Sequence, residues 1–248
     1  MSHPQHRKSK PLGVLVLHGF TSSIKTVDGL LPYLKAAKLP YRMPVLRGHG
    51  STPESLMGVT YRDWIDDAED ALVELLGECS QAVVVGLSMG GLVALEMGMR
   101  HRQTVAAVVA VAPALKFTNP LAPLSLCLSG FLSYFPSPHA FTDRNCAKAS
   151  ENYSRFPVKA FASLYELSKL IESKLRDFTQ PLLILQHRKA QVTHPKGAKL
   201  IYANVRSKDK KLHWFNRSGH EMMQDCEREA VFETIMTYVE SVKTSKRS

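Results

Sequence analysis

The sequence predicts an α/β protein with a mostly parallel central sheet and helices on both faces. One reason is that short apolar runs alternate with helical patterns along most of the chain. A second is that several of these runs are nearly continuous in Val, Leu, Ile and Ala, which indicates strands buried on both sides. The 248 residues, 44% hydrophobic and 22% charged, can bury one sizeable core. We therefore expect a single domain over residues 1–248.

Six segments are the strand candidates. They are LGVLVL (12–17), YRMPVL (41–46), AVVVG (82–86), VAAVVAVAP (105–113), PLLILQ (181–186) and KKLHWF (210–215). Helical patterns connect them, in DGLLPYLKAAK, residues 60–78, GGLVALEMGMRH, PKGAKLIYANV and a last segment from about Glu227 to Val242. Thr60 and Asp63 have the spacing of a capping box, so the helix of residues 60–78 should begin just after Thr60.

The alternation pauses between about residues 114 and 176, which is too long for a plain connection. The pause begins with the apolar, Pro-rich LAPLSLCLSGFLSYFPSP and becomes helical at PVKAFASLYELSKLIESKL. Its first half is more apolar than a segment facing solvent should be. We expect a small cap above the sheet, and the alternative is an extra pair of packing helices without a functional role.

Charge and cysteine usage argue against several classes of function. The net charge is +10, but much of the surplus lies at the chain ends and in residues 206–211, without a nucleic-acid-binding motif. We therefore expect no nucleic-acid partner. The four cysteines form no C-x-x-C pair and the ten histidines are scattered, so we expect reduced thiols and neither a metal site nor a cofactor.

No apolar run approaches the roughly 20 residues that cross a bilayer. The basic N-terminus is followed by only six apolar residues, LGVLVL, and by no cleavage site of a secretory signal. These features predict a cytoplasmic protein, with at most a transient contact with a membrane surface.

A G-x-S-x-G pattern follows the third strand candidate and opens a helical pattern, at Gly86, Ser88 and Gly90. A serine in a tight strand-to-helix turn projects its hydroxyl, and larger side chains two residues away would collide with the neighbouring elements. The N-terminus of the helix adds backbone N–H groups near that oxygen. Ser88 is therefore the candidate nucleophile, and a plain strand-to-helix turn is the alternative.

Two further segments lie at the same predicted edge of the sheet. His18-Gly19-Phe20 ends the first strand, where the Phe20 N–H could join that of Met89 in holding an oxyanion. His220, in the Ser-Gly-His-Glu segment after the last strand, could reach Ser88 as a general base.

These motifs together resemble the α/β-hydrolases, and within them the small bacterial carboxylesterases and monoacylglycerol lipases. The motifs are HGF (18–20), RGHG (47–50), GLSMGG (86–91) and SGH (218–220) before a closing helix. The resemblance extends from about residue 12 to residue 242. It implies that Ser88 is the nucleophile, His220 the base, and the Phe20 and Met89 N–H groups the oxyanion donors.

The family's third catalytic residue is an Asp in the loop after the penultimate strand, a few residues before a Pro. In this sequence that position is Ala190, five residues before Pro195. Nearby residues are poor replacements: Asp177 and Asp209 precede strands, and Asp225 is expected at the start of the last helix. Glu221 is near His220 in sequence, but we do not expect it to serve as the acid.

Two explanations remain open. The chain is either a serine hydrolase of carboxylic esters impaired by the loss of its acid, or a silent protein of the same fold that binds a ligand or partner. The retained serine, histidine and oxyanion elements favour the enzyme. Its cap suggests acylglycerols or medium-chain esters as substrates, and four apolar residues are candidates to line an acyl pocket: Leu126, Phe131, Leu132 and Phe135.

Overall fold

A computed structural model describes residues 10–189 and 191–245 of the chain. Ala190 lies outside these described residues. The strands are β1 (Leu12–Leu17), β2 (Tyr41–Arg42), β3 (Gln81–Leu87), β4 (Val105–Val111), β5 (Tyr134–Pro136), β6 (Arg155–Pro157), β7 (Leu182–His187) and β8 (Lys210–Phe215). The helices are α1 (Leu31–Ala36), α2 (Tyr61–Leu76), α3 (Met89–Arg100), α4 (Ser125–Leu128), α5 (Arg144–Ala149), α6 (Val158–Lys174), α7 (Lys196–Asn204) and α8 (Arg228–Ser245).

The central sheet has the strand order β2-β1-β3-β4-β7-β8, and every neighbouring pair in it is parallel. This confirms the predicted α/β class. Parallel strands end at one edge of the sheet, so the loops after β1, β3, β7 and β8 meet there. The topology therefore brings the loop residues that could take part in a reaction to the same edge of the sheet.

Alternate residues of the central strands face two separate layers of core. Leu15 and Leu17 of β1 pack with α2, α3 and α6 on one face. Val14 and Val16 pack with α1 and α8 on the other face. Strands buried on both sides explain why the apolar runs in the sequence are nearly continuous rather than alternating.

The second strand candidate is shorter than predicted. Of YRMPVL, only Tyr41 and Arg42 pair with β1. Pro44 has no N–H to donate to a ladder, and the N–H of Leu46 donates to the His18 ring instead, at 3.0 Å. By contrast, the capping box at the start of α2 is present, since the Asp63 carboxylate accepts the Thr60 N–H at 2.8 Å.

The segment between β4 and β7 has two structurally different parts. The first part carries α4, the short antiparallel pair β5–β6 and α5, and many of its side chains are exposed. The second part is α6, whose Leu164, Leu167 and Ile171 are buried in the core. The apolar first part thus lies above the edge where β4 and β7 end, and α6 anchors it to the sheet.

No helix within the described residues is long and apolar enough to span a membrane. Nor do the described His, Cys, Asp and Glu side chains form any group of three or more suited to hold a metal ion.

Candidate active site

Ser88 occupies a strained turn between β3 and α3. Its φ of +55° and ψ of −111° are unusual for a residue with a side chain, and such strain is found mainly at functional sites. The turn requires glycine on both sides, because a Cβ on Gly86 would collide with the Gly90 carbonyl, and one on Gly90 with the Leu17 carbonyl. The backbone N–H of Ser88 donates to the Val111 carbonyl at 2.8 Å, which fixes the turn on β4.

His220 lies against Ser88, on the loop after β8. Its Nε2 is 2.8 Å from the Ser88 Oγ, a hydrogen-bonding distance. Both side chains are buried, with 3% of His220 and 7% of Ser88 exposed. Burial, with a smaller contribution from the neighbouring His187, lowers the pKa of His220 from 6.5 to about 3. The ring is therefore neutral near pH 7, as a general base must be.

The loop after β7 holds His220 at two points. Thr193 Oγ1 lies 3.3 Å from the ring Nδ1, and Gln191 Oε1 accepts the backbone N–H of His220 at 3.1 Å. Thr193 is fully buried. Sequence reasoning missed both contacts, since neither Thr nor Gln in a loop carries a local signature of this role. The sequence spacing before Pro195 identified only the expected acid position in this loop, which is Ala190.

No carboxylate among the described residues is hydrogen-bonded to the His220 ring. The Asp225 carboxylate accepts four backbone N–H groups, from Thr142, Asp143, Gly219 and Cys226, at 2.6 to 2.9 Å. These bonds keep the pKa of Asp225 low although burial opposes them. Asp225 therefore fastens the His220 loop to residues 142 and 143 and is not free to act on the imidazole.

Glu221 also points elsewhere, since its Oε1 accepts from Asn152 Nδ2 at 3.1 Å. Burial raises the pKa of Glu221 to about 7. Asp177 and Asp209 precede β7 and β8, at the opposite edge of the sheet from Ser88. The structure thus brings none of the alternative acids to the histidine.

The loop after β1 passes directly beside the nucleophile. A Cβ on Gly19 would lie 3.4 Å from that of Ser88, so glycine permits the close approach. His18 fixes the loop: its Nδ1–H donates to the Gly19 carbonyl at 2.8 Å, and its Nε2 accepts the Leu46 N–H. Burial lowers the pKa of His18 to about 4, which keeps this ring neutral. Phe20 follows in this loop, and Met89 is the first residue of α3.

A cavity of about 680 Å³ lies above Ser88 and His220. Apolar side chains form much of its wall, including Phe117, Leu121, Leu128, Leu132, Phe135, Phe141, Phe156, Phe161 and Leu164. Leu132 and Phe135, two of the four residues predicted to line an acyl pocket, are part of this wall. Leu126 and Phe131, which were also predicted to line it, are not part of the wall; Leu126 is 45% exposed and Phe131 is 93% exposed.

The family profile described as Hydrolase_4, serine aminopeptidase S33, matches residues 9–227. The chain belongs to this family. The chain is 26% identical over 233 residues to a carboxylesterase of Bacillus subtilis, and the match covers 92% of each protein. It is also 24% identical over 237 residues to a thermostable monoacylglycerol lipase of a Bacillus species, covering 96% of this chain and 94% of that one.

Solved structures agree with this family. One from work on two metagenome-derived lipolytic enzymes superposes with a TM-score of 0.86 at 27% identity, covering 94% of this chain and 96% of the other. A monoglyceride lipase of Saccharomyces cerevisiae shares the fold, with a TM-score of 0.81 at 16% identity over 95% of this chain and 88% of that one. The protein is an α/β-hydrolase of the esterase and lipase type.

Proposed function

We propose that this α/β-hydrolase cleaves carboxylic esters, with Ser88 as nucleophile and His220 as general base, and that its turnover is low because Ala190 stands at the acid position. The observation that carries the proposal is the 2.8 Å contact between Ser88 Oγ and His220 Nε2 at the floor of an apolar cavity. A nucleophile within hydrogen-bonding reach of its base is the arrangement that acyl transfer needs.

In the acylation step, Ser88 Oγ attacks the ester carbonyl carbon while His220 Nε2 takes the hydroxyl proton. The Phe20 and Met89 N–H groups hold the resulting oxyanion. Collapse of this intermediate breaks the C–O bond, and His220 gives its proton to the leaving alcohol. His220 then takes a proton from a water molecule, whose oxygen attacks the acyl carbon. Collapse of the second intermediate breaks the bond between that carbon and Ser88 Oγ, His220 returns the proton to Ser88 Oγ, and the carboxylic acid leaves.

The cavity and the relatives both support a proposal for the substrate class. The cavity wall includes the apolar side chains of Leu132, Phe135 and Phe156, which suit an acyl chain rather than a charged group. Relatives that match more than nine-tenths of the chain are named carboxylesterase and monoacylglycerol lipase. We therefore assign medium-chain esters or acylglycerols as substrates.

The exposed part of the cap suits contact with aggregated lipid. We call the exposed apolar residues of its first part the cap patch: Leu121, Leu124, Leu126, Leu128, Phe131, Leu132 and Phe135. Leu121, Leu128, Leu132 and Phe135 also line the cavity, so the patch is continuous with the substrate site. Exposed apolar surface of this kind marks interaction sites, and we propose a transient contact with a lipid surface. The cytoplasmic location stays a prediction.

A silent binding protein is the second candidate function, and the sequence of the β7 loop favours it. Residues 188–195 contain no Asp or Glu, so the group that stabilises the imidazolium is absent from its expected place. Removing that charge costs about 10⁴-fold in serine proteases. A protein that had lost catalysis could keep the cavity for a ligand.

The deciding experiment is Ala190→Asp, assayed with p-nitrophenyl esters of short and medium acyl chains. We expect kcat to increase by roughly 10³- to 10⁴-fold, the reverse of the loss known for this acid. Ser88→Ala in the same background should abolish the gain. If the Ala190→Asp variant showed no Ser88-dependent turnover, the esterase function would be contradicted and the silent binding protein would remain as the explanation.

A fluorophosphonate probe gives an independent readout on the natural chain. A serine activated by His220 should be labelled slowly but measurably, and Ser88→Ala should remove the label. In the p-nitrophenyl ester assay, rates of hydrolysis that are independent of acyl chain length would contradict the assigned substrate class.

A further inference from the structure

The Nδ1 atom of His220 has one hydrogen-bonding partner among the described residues, the hydroxyl of Thr193 at 3.3 Å. A neutral imidazole can accept the Ser88 proton on Nε2 only when its own proton is on Nδ1. Some group must favour that tautomer. In serine hydrolases a carboxylate does so, whereas residues 188–195 of this chain contain none.

Thr193 is held firmly in the place from which it contacts the ring. Its backbone forms an antiparallel bridge with Phe117. On either side of it, the Thr118 N–H donates to the Val192 carbonyl at 3.1 Å, and the His194 N–H donates to the Lys116 carbonyl at 2.8 Å. The side chain itself is completely buried. A β-branched residue has few χ1 rotamers, so the position of the hydroxyl oxygen is restricted.

Gln191 controls the backbone beneath the ring. Its Oε1 accepts the His220 N–H at 3.1 Å, and a Cβ on Gly219 would collide with that oxygen. Gln191 Nε2 in turn donates to the Phe141 carbonyl at 3.3 Å. The β7 loop therefore contacts the backbone of His220 through Gln191 and its ring through Thr193.

We propose that Thr193 is a positioning residue that holds His220 in the Nδ1–H tautomer by accepting its ring N–H, in place of the missing carboxylate. This inference rests on the proposed esterase function, in which His220 is the base. The hydroxyl is neutral, so it orients the ring without stabilising the imidazolium. The natural chain thus keeps one of the two functions of the acid and lacks the other.

The test compares Thr193→Val with Thr193→Ser. Valine has almost the same shape but cannot accept the N–H, whereas serine keeps the hydroxyl. With a p-nitrophenyl ester, we expect Thr193→Val to lower kcat by roughly tenfold, the value of one neutral hydrogen bond, with KM unchanged. Thr193→Ser should stay within about twofold of the natural chain. Thermal unfolding of both variants shows that the fold is retained.

The second readout is the tautomer itself, observed by ¹⁵N NMR of labelled histidine at pH 7. The natural chain and Thr193→Ser should show His220 protonated on Nδ1, and Thr193→Val should show a larger share of the Nε2–H form. In an Ala190→Asp background the carboxylate takes over, so the effect of Thr193→Val on kcat should fall to less than half.

The two proposals are distinguished by their failures. Equal kcat values and tautomers for Thr193→Val and Thr193→Ser, with turnover that still requires Ser88, would overturn the role of Thr193 alone. Absence of Ser88-dependent turnover in both the natural chain and Ala190→Asp would overturn the esterase function. The tautomer measurement would then still decide the contact between Thr193 and His220.

Discussion

His220 must take up a proton during catalysis, although its surroundings disfavour the charged ring. Burial and the neighbouring His187 lower the pKa of His220 from 6.5 to about 3. A depression of that size corresponds to roughly 5 kcal/mol against the imidazolium. The Thr193 hydroxyl supplies no charge to offset it, whereas an Asp at residue 190 would. This difference is the physical reason to expect a large gain from Ala190→Asp.

The pH dependence of turnover should report the same effect. Because the pKa of His220 is depressed, the ring stays neutral and able to act as a base well below pH 6, and the acidic limb of kcat/KM should lie below about pH 5. A carboxylate in Ala190→Asp raises the pKa of the ring, so the limb should move upward by at least about one pH unit. Assays between pH 4 and 9 measure this shift.

Glu221 requires a control in that experiment, since burial raises its pKa to about 7 and it lines the same cavity. Glu221→Gln keeps an oxygen for Asn152 and removes the titration. The shift of the acidic limb should persist in this variant. A limb that stays in place in Ala190→Asp would contradict the assignment of residue 190 as the acid position.

At the residue scale, the sequence predicted the Ser88–His220 pair and missed Thr193. Ser88 lies in a pattern whose glycines have a local steric reason, and His220 follows the last strand in a fixed order. Thr193 acquires its role only because the β7 loop folds against Phe117, a contact between residues 76 positions apart. No local pattern encodes such a contact.

At the scale of single elements, agreement depends on whether local and long-range preferences coincide. KKLHWF forms β8 with the predicted bounds, since its neighbour β7 pairs along its whole length. Only two residues of YRMPVL form a strand. Pro44 has no N–H, and the Leu46 N–H donates to the His18 ring, so neither contributes a hydrogen bond to the sheet. The apolar part of the predicted cap contains short elements whose packing depends on the rest of the molecule.

The loop that carries His220 depends on one carboxylate. Asp225→Asn keeps the shape of the side chain but replaces one acceptor oxygen by an NH₂ group that faces backbone donors. We expect a loss of about 2 to 3 kcal/mol in the free energy of unfolding, together with a lower kcat. Urea unfolding measures the first effect. Asp70→Asn on the exposed face of α2 is the matched control, expected within about 0.5 kcal/mol of the natural chain; equal losses in both would contradict the role of Asp225.

The cap patch yields a prediction that depends on the physical state of the substrate. Phe131 is 93% exposed and lies outside the cavity wall. Phe131→Ser should therefore leave the hydrolysis of a dissolved short-chain ester unchanged. With an emulsified monoacylglycerol we expect a decrease of about threefold to tenfold, since less apolar area enters the lipid surface.

Val73→Ser is the control for this experiment, because Val73 is 63% exposed on α2 and lies outside the cap patch. Val73→Ser should change neither the hydrolysis of the dissolved ester nor that of the emulsified monoacylglycerol. The lipid contact would be wrong if Phe131→Ser and Val73→Ser behaved alike on the emulsion.

At the scale of the whole molecule, the parallel sheet could be predicted because each buried strand is a local run of apolar residues. The burial of charged and titratable groups could not, since it arises only when the loops close over one another. His18, His49, His187 and His220 are all buried near the end of the sheet where those loops meet. Burial lowers the pKa of each to between about 3 and about 4.

These four histidines make stability depend on pH. Below pH 6.5 the unfolded chain binds protons that the folded chain does not, so the free energy of unfolding falls as the pH decreases towards 4. Glu221 acts in the opposite sense: its pKa is raised to about 7, so the folded state binds a proton between pH 7 and 4.5 that the unfolded state lacks. Four groups outweigh one, and the net effect is a loss of stability from pH 7 to pH 5.

Urea unfolding at pH 7 and pH 5 measures this loss, which we expect to reach several kcal/mol. His187→Phe removes one titrating ring from the set while keeping an aromatic side chain beside His220. The difference between the two pH values should shrink by roughly 2 kcal/mol in this variant. If stability were the same at both pH values, the histidines would have to gain protons in the folded state, and the neutral His220 that the proposed mechanism requires would be lost with them.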